Sequence, residues 1–282
     1  MMGRVVSVVV ESIRPQYFVT FFAAALCLFA VPTQVYFAAQ LDGLQTFVVP
    51  ASHKSTPVIV PPRVLGASSL PTPPNCRQVA CIALTFDDGP NQATTSQILD
   101  ILEQQNVSAT FFIVGKHVPG NEALLRRMQA QGDEIGNHSW SHSNFTKLTP
   151  DQIRHEVSDT QNIITAAGVP VPRLFRPPYG AVNDTVRNNV PLRIAMWNED
   201  SRDWDSHNVA KVQEALITSA RPGGVIDAHD IYQSTADALG PTITELKARQ
   251  FTFVTMSQLM NNDDPGSGHD FYGFKDRTAP PR

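Results

Sequence analysis

The chain predicts an α/β fold in which strands and helices alternate and polar groups gather along one rim. Three observations carry this reading. Short apolar runs of strand length recur between residues 79 and 226, and segments with helical spacing of apolar residues separate them. Most of these segments are also followed within a few residues by Asp, His or Arg, which is how β/α barrels build sites at the C-terminal ends of their strands.

Taken in order, residues 79–84 form a continuous apolar run that passes into Thr85-Phe86-Asp87-Asp88-Gly89-Pro90, where Gly-Pro forces a turn. A helix over 92–105 places Ile98, Leu99, Ile101 and Leu102 on one face. Residues 109–115 read as a buried second strand and 122–131 as a second helix. A short strand over 132–137 leads into His138-Ser139-Trp140-Ser141-His142. The helix over 149–167 opens with Thr149 as cap and Pro150 at its first position. Leu174-Phe175, residues 193–197 and residues 224–226 supply the remaining strand-like runs, with helices over 208–220 and 236–249 between and after them.

The strand ends carry the chemistry. Asp87 and Asp88 repel each other unless their tasks differ, and one solution pairs a metal ligand with a proton acceptor. Alone, Asp-Asp-Gly is a turn closing a strand. His138 and His142, four apart, would share one face of a helical turn and reach a single ion. With one of the two Asp residues they make a two-His, one-carboxylate set that leaves positions open for water and substrate. Arg176-Pro177-Pro178-Tyr179-Gly180, Asp200-Ser201-Arg202-Asp203-Trp204 and Ala228-His229-Asp230 close the next runs. Singly, each has an ordinary reading as a surface ion pair, a loop cap or a core histidine. In this order, on successive strand ends, they form a set.

These five segments, spread over residues 76–260, resemble the ordered motifs of the polysaccharide deacetylases of the NodB-like family, also called carbohydrate esterase family 4. The resemblance implies a distorted (β/α) barrel with the metal site at the C-terminal rim. It also implies hydrolysis of acetyl groups on acetylated sugars with a divalent metal, zinc first, and cobalt or another transition metal as alternatives. By motif position, Asp88, His138 and His142 match the metal ligands and Asp87 the catalytic base. Arg176 matches the arginine that orients the base, and Tyr179 supplies a main-chain N–H for the oxyanion. His229 matches the general acid, Asp203 the carboxylate that holds it, and Trp204 the aromatic beside it. One position departs from the pattern. Two residues before the acid histidine the family carries a large aliphatic residue in its acetate-methyl pocket, and here Asp227 stands there, where a carboxylate is costly unless paired or turned away. Asp230 is expected to cap the following loop.

The remaining sequence fits export. Residues 18–31 are apolar and follow Arg4 and Arg14, so residues 1–41 read as a signal peptide or as a retained signal-anchor. Residues 42–75 carry seven prolines among Ser and Thr and read as an extended extracytoplasmic linker. The deacetylase domain is expected over 76–261 and a disordered tail over 262–282. Cys76 and Cys81, five apart at the first strand, are a candidate disulfide in an exported protein. A formal net charge of −4 with no basic stripe gives no support for nucleic-acid binding. The expected partner is a cell-wall polysaccharide, met by a monomeric domain that is secreted or anchored facing the wall. Residues 115–118, 176–184 and 200–204 are most similar to bacterial peptidoglycan deacetylases. Deacetylation of chitin oligomers or acetylated xylan is the second reading, and an inactive metal-containing sugar-binding protein the third.

Overall fold

A computed structural model describes residues 73–261 and 270–273. The expected leader, nearly all of the linker, and the tail apart from 270–273 lie outside the described residues. Among the described residues no helix is long and apolar enough to cross a membrane.

Eight parallel strands form the sheet: β1 Ala80–Asp87, β2 Thr110–Ile113, β3 Glu134–Asn137, β4 Leu174–Phe175, β5 Arg193–Ile194, β6 Glu199–Asp200, β7 Gly224–His229 and β8 Phe251–Val254. The order is β5-β4-β3-β2-β1-β7-β6, with β8 also paired to β1. Since Ile82 and Ala83 pair with both β7 and β8, and Thr85 to Asp87 with both β7 and β2, strands β8 and β2 share one flank of β1. Residues 195–198 carry the chain from β5 to β6. The result is the distorted barrel that the sequence leads one to expect. Its helices are α1 Thr94–Gln105, α2 Glu122–Gln131, α3 Pro150–Ala166, α4 Asp184–Asn189, α5 Asp203–Ser206, α6 Val209–Ser219, α7 Gln233–Ala248 and α8 Met256–Asn261.

The period-two alternation of the strands sorts side chains into two layers. Leu84, Phe86, Ile226 and Ala228 face outward and pack with Ile98, Leu99, Leu239 and Ile243 of the helices. Cys81, Ala83 and Val225 face inward and pack with Phe112, Leu174 and Val254. Further along the same inward faces come Thr85 and Asp87 on β1, and Asp227 and His229 on β7. The barrel lining therefore passes from apolar to polar toward the C-terminal rim, and the site begins where the apolar lining stops.

Several expectations are corrected. Strand 193–197 ends at Ile194; Ala195 still donates its N–H to Phe175 O at 2.8 Å and adds only an isolated bridge, to Phe271. That bridge also overturns part of the expected tail. Phe271 is buried, its N–H donates to Ile194 O at 3.0 Å, its carbonyl accepts from Met196 N at 2.7 Å, and Asp270 pairs with Arg187 at 2.8 Å. Strand β8 and helices α4, α5 and α8 have no counterpart in the sequence reading. Thr149 does cap α3, in a capping box completed by Gln152. Cys76 and Cys81 are joined in a disulfide although Cys81 lies inside β1, with Cα atoms 5.2 Å apart.

Candidate metal and acid–base site

The strand ends bring the sequence-predicted residues into one cleft of about 580 Å³, whose lining includes Asp87, Asp88, His138, His142, Asp227 and His229. Tyr179, Trp197, Asp200, Trp204 and Tyr232 complete its walls.

Asp87 is the last residue of β1 and continues its inward face. Asp88 breaks the alternation with φ of 75°, in the left-handed region that non-glycine residues seldom adopt, so the adjacent carboxylates take different directions. His117 holds that turn, its Nδ1 lying 2.8 Å from Asp88 O. Gly89 follows because a Cβ there would sit 2.1 Å from Asp230 Oδ2. Asp230 is no loop cap. It is fully buried, accepts from Thr95 Oγ1 at 2.5 Å through Oδ2, and burial lifts its carboxyl to about 7 against the Thr95 bond.

His138 and His142 do not share a helical turn, and this corrects the sequence reading. They lie on a loop bent by left-handed Ser139 (φ 69°) and His142 (φ 61°), pinned by Ser139 N to Asn137 Oδ1 and by His142 N to Ser139 Oγ, both at 2.9 Å. Their rings still converge. His138 Nε2 is 3.5 Å and His142 Nε2 3.1 Å from Asp88 Oδ1. His138 Nδ1 meets the Arg176 carbonyl at 2.7 Å; a carbonyl only accepts, so Nδ1 carries the proton and Nε2 offers its lone pair. Burial pushes His142 toward its neutral form, opposed by the Asp88 and Asp87 carboxylates. Burial works against an ionised Asp88, yet the imidazoles of His138, His142 and His229 gathered around it hold its carboxyl well below the usual range. Asp88 Oδ1 is buried with no hydrogen-bond partner among the described residues. A buried orphan carboxylate oxygen facing two imidazole nitrogens is the donor set a divalent transition metal takes, so the residues fit such an ion.

Arg176 follows β4 and is completely buried. Its Nη1 donates to Asp87 Oδ1 at 2.8 Å, Thr85 Oγ1 at 2.8 Å and Asp227 Oδ1 at 3.0 Å. Nε and Nη2 donate to Ala195 O at 3.0 Å and Met196 O at 3.1 Å, and the guanidinium lies 4.1 Å above the Phe112 ring. Asp227 is thus paired rather than turned away. Burial raises its carboxyl well above the ordinary range, Asp87 adds to the rise, and Arg176 and His229 oppose it.

His229 ends β7 in register with Asp87. Its Nδ1 is 2.8 Å from Asp203 Oδ1, and its main-chain N–H donates to Asp203 Oδ2 at 2.7 Å. Burial disfavours the imidazolium, but the Asp203 hydrogen bond and the charges of Asp227, Asp203 and Asp87 outweigh it and lift His229 to about 10. Tyr179 has φ of 61° and is 68% exposed, with its hydroxyl 3.2 Å from His142 Nδ1. Trp204 is 46% exposed on α5, under the Arg202 guanidinium, so it fills no core.

Sequence reasoning passed over Thr235, whose hydroxyl donates to Asp203 Oδ2 at 2.6 Å, and over His117, Thr85 and Tyr232. Only Tyr232 had a local signal, an aromatic three residues after His229.

A family model described as polysaccharide deacetylase matches residues 75–191. The peptidoglycan-N-acetylmuramic acid deacetylase PdaC of Bacillus subtilis is 43% identical over 178 residues, which are 63% of this chain and 38% of the relative. A chitooligosaccharide deacetylase of Rhizobium leguminosarum bv. trifolii is 35% identical over 196 residues, covering 63% of this chain and 90% of the relative. The solved structure of the Bacillus subtilis peptidoglycan deacetylase PdaC aligns with a TM-score of 0.64 at 41% identity, over 66% of this chain and 92% of that one. The chain spans only about two fifths of the length of the first curated peptidoglycan relatives it matches.

Proposed function

The chain belongs to the polysaccharide deacetylase family, and on that premise we propose that it removes N-acetyl groups from N-acetylglucosamine or N-acetylmuramic acid residues of peptidoglycan. The observation that carries the reading is the pairing in one cleft of Asp87 with Arg176 and of His229 with Asp203, on either strand flanking the Asp88–His138–His142 cluster. A carboxylate held ready to accept a proton and an imidazolium held ready to give one are what amide hydrolysis requires.

Asp88, His138 and His142 would hold a divalent ion, with zinc favoured by the donor set. Such an ion supplies Lewis acidity, lowering the pKa of water and polarising a carbonyl. Asp87 takes the proton of the attacking water, and Arg176 Nη1 fixes the carboxylate that does so. The main-chain N–H of Tyr179, presented by a loop stiffened by Pro177 and Pro178, donates to the developing oxyanion. His229 gives its proton to the leaving sugar nitrogen, and Asp203 keeps that ring charged and oriented. Trp204 and the Tyr179 ring supply exposed aromatic faces for sugar.

The wider organisation belongs to the same reading. Residues 1–41 export the chain, residues 42–75 tether it, and the monomeric domain works outside the cytoplasm. The apolar segment with its preceding arginines and the Pro-rich stretch support this.

The test is acetate release by the zinc-loaded chain from purified peptidoglycan and from N-acetylglucosamine oligomers, with Asp87→Asn as control. Release from peptidoglycan that vanishes in the control while metal content is kept is the expected result. Release from the oligomers alone moves the substrate to chitin-type polymers. No release from either overturns the enzyme.

A further inference from the structure

Thr85 and Asp227 face each other in register one step deeper in the barrel than Asp87 and His229, on the same inward faces. Whatever is cleaved between Asp87 and His229 therefore has Asp227 in the wall beneath it. The Asp227 side chain lines the cleft yet is only 6% exposed. Its Oδ1 accepts from Arg176 at 3.0 Å, while Oδ2 takes no hydrogen bond among the described residues. Thr85 offers this oxygen nothing, since its hydroxyl donates to Ile226 O at 2.7 Å. Arg176 Nη1, the nitrogen that reaches Asp227, has nothing to spare either, because it already faces three acceptors with two hydrogens.

A plain methyl group pressed against Oδ2 would strip its water and return no bond, which is costly for a carboxylate. An acyl group bearing a hydroxyl on its α-carbon would return one. Such a group bonds Asp227 in either protonation state, because a hydroxyl both donates and accepts.

The geometry points to Asp227 as an acyl-specificity residue that favours an N-hydroxyacetyl group over N-acetyl, through a hydrogen bond from the acyl hydroxyl to Oδ2. This rests on the amide-hydrolysis reading above. The balance of the reaction is unchanged. The C–N bond breaks, the water oxygen joins the acyl carbon, His229 supplies the proton that completes the amine, and glycolate leaves in place of acetate.

The test compares glucosamine oligomers carrying N-hydroxyacetyl or N-acetyl groups, in turnover and in equilibrium binding, with the zinc-loaded chain and its Asp227→Leu and Asp227→Asn variants. Wild type is expected to favour the hydroxyacetyl oligomer by about 3- to 100-fold in kcat/KM, the range spanned by one hydrogen bond to a neutral or a charged carboxyl. Asp227→Leu reverses the preference and Asp227→Asn, which keeps a polar oxygen, retains part of it. Equal or acetyl-favouring ratios in wild type overturn the assignment. If neither oligomer is cleaved, the enzyme reading fails, and binding still decides. Tighter binding of the hydroxyacetyl oligomer that is lost in Asp227→Leu upholds the role of Asp227, and identical binding overturns it.

Discussion

Asp203 grips His229 twice, through Oδ1 to the ring Nδ1 at 2.8 Å and through Oδ2 to the main-chain N–H at 2.7 Å, so one carboxylate fixes both the charge and the position of the imidazole. Thr235 adds a third bond to the same carboxylate from the start of α7.

Asp203→Asn keeps much of this geometry and removes the charge. His229, raised to about 10 with Asp203 as a main contributor, then loses its proton at lower pH. The general acid must be protonated, so the alkaline limb of the pH–rate profile should move to lower pH. The rate at neutral pH should fall by roughly 10²- to 10⁴-fold. Asp227, Asp87 and Asp88 also face His229 and are unchanged in the variant. A profile that only scales down, with its alkaline limb in place, would show that Asp203 acts by position alone.

Arg176→Lys should cost about 3–5 kcal/mol of stability, because Asp87 and Asp227 would share one buried ammonium and the Ala195 and Met196 carbonyls would lose their donors. Urea denaturation of both proteins measures it. A loss under 1 kcal/mol would mean that lysine reproduces the fork.

Asp133 gives a stability prediction remote from the cleft. Burial raises its carboxyl to about 7, opposed by the Ala109 N–H bond and the Arg127 charge, and its Oδ2 is buried with no hydrogen-bond partner among the described residues. The folded state thus binds the proton more tightly than the unfolded chain, whose Asp titrates near 3.9. Stability from this group is greatest below pH 4 and declines as pH rises to about 7. Asp133→Asn should flatten the decline, so that the variant gains on wild type between pH 5 and pH 8. Thermal melts across that range check it, and parallel curves for the two proteins would refute the assignment.

Metal binding should stabilise the fold. Zinc at 100 times its dissociation constant is expected to add about 2.7 kcal/mol, seen as a higher Tm that a chelator reverses. His142→Ala should abolish most of the gain. A Tm indifferent to zinc in wild type would argue against the Asp88–His138–His142 site.

The parts of the site that were legible in the sequence are those announced by a strand end. Asp87-Asp88, His138, Arg176 and His229 each stand at the end of a segment with strand character, so the alternation of strands and helices places them on one rim. The parts that were not legible depend on partners far apart in the chain. Nothing near Asp227 reveals that Arg176, 51 residues earlier, neutralises it, and nothing near Asp203 reveals Thr235. The four-residue spacing of His138 and His142 suggests a helical period, whereas left-handed Ser139 and His142 bring the rings together on a loop. A residue's spacing reports direction only if its backbone is regular, and the loop from Asn137 to His142 is not. Strand β5 is shorter than its apolar run, and the residue bridged to Ala195 just past its end, Phe271, lies beyond the last motif.

That contact has a practical consequence for where the chain can be shortened. Phe271 satisfies the N–H of Met196 and the carbonyl of Ile194, beside a strand of only two residues. A protein ending at Asn261 would keep every residue of the cleft but leave those groups bare, next to the buried apolar surface that Phe271 covers. Unpaired strand backbone of this kind recruits the same segment of another molecule. Such a shortened protein would keep every proposed catalytic group and be prone to self-association, so loss of the proposed activity on truncation would report clumping rather than a missing functional group.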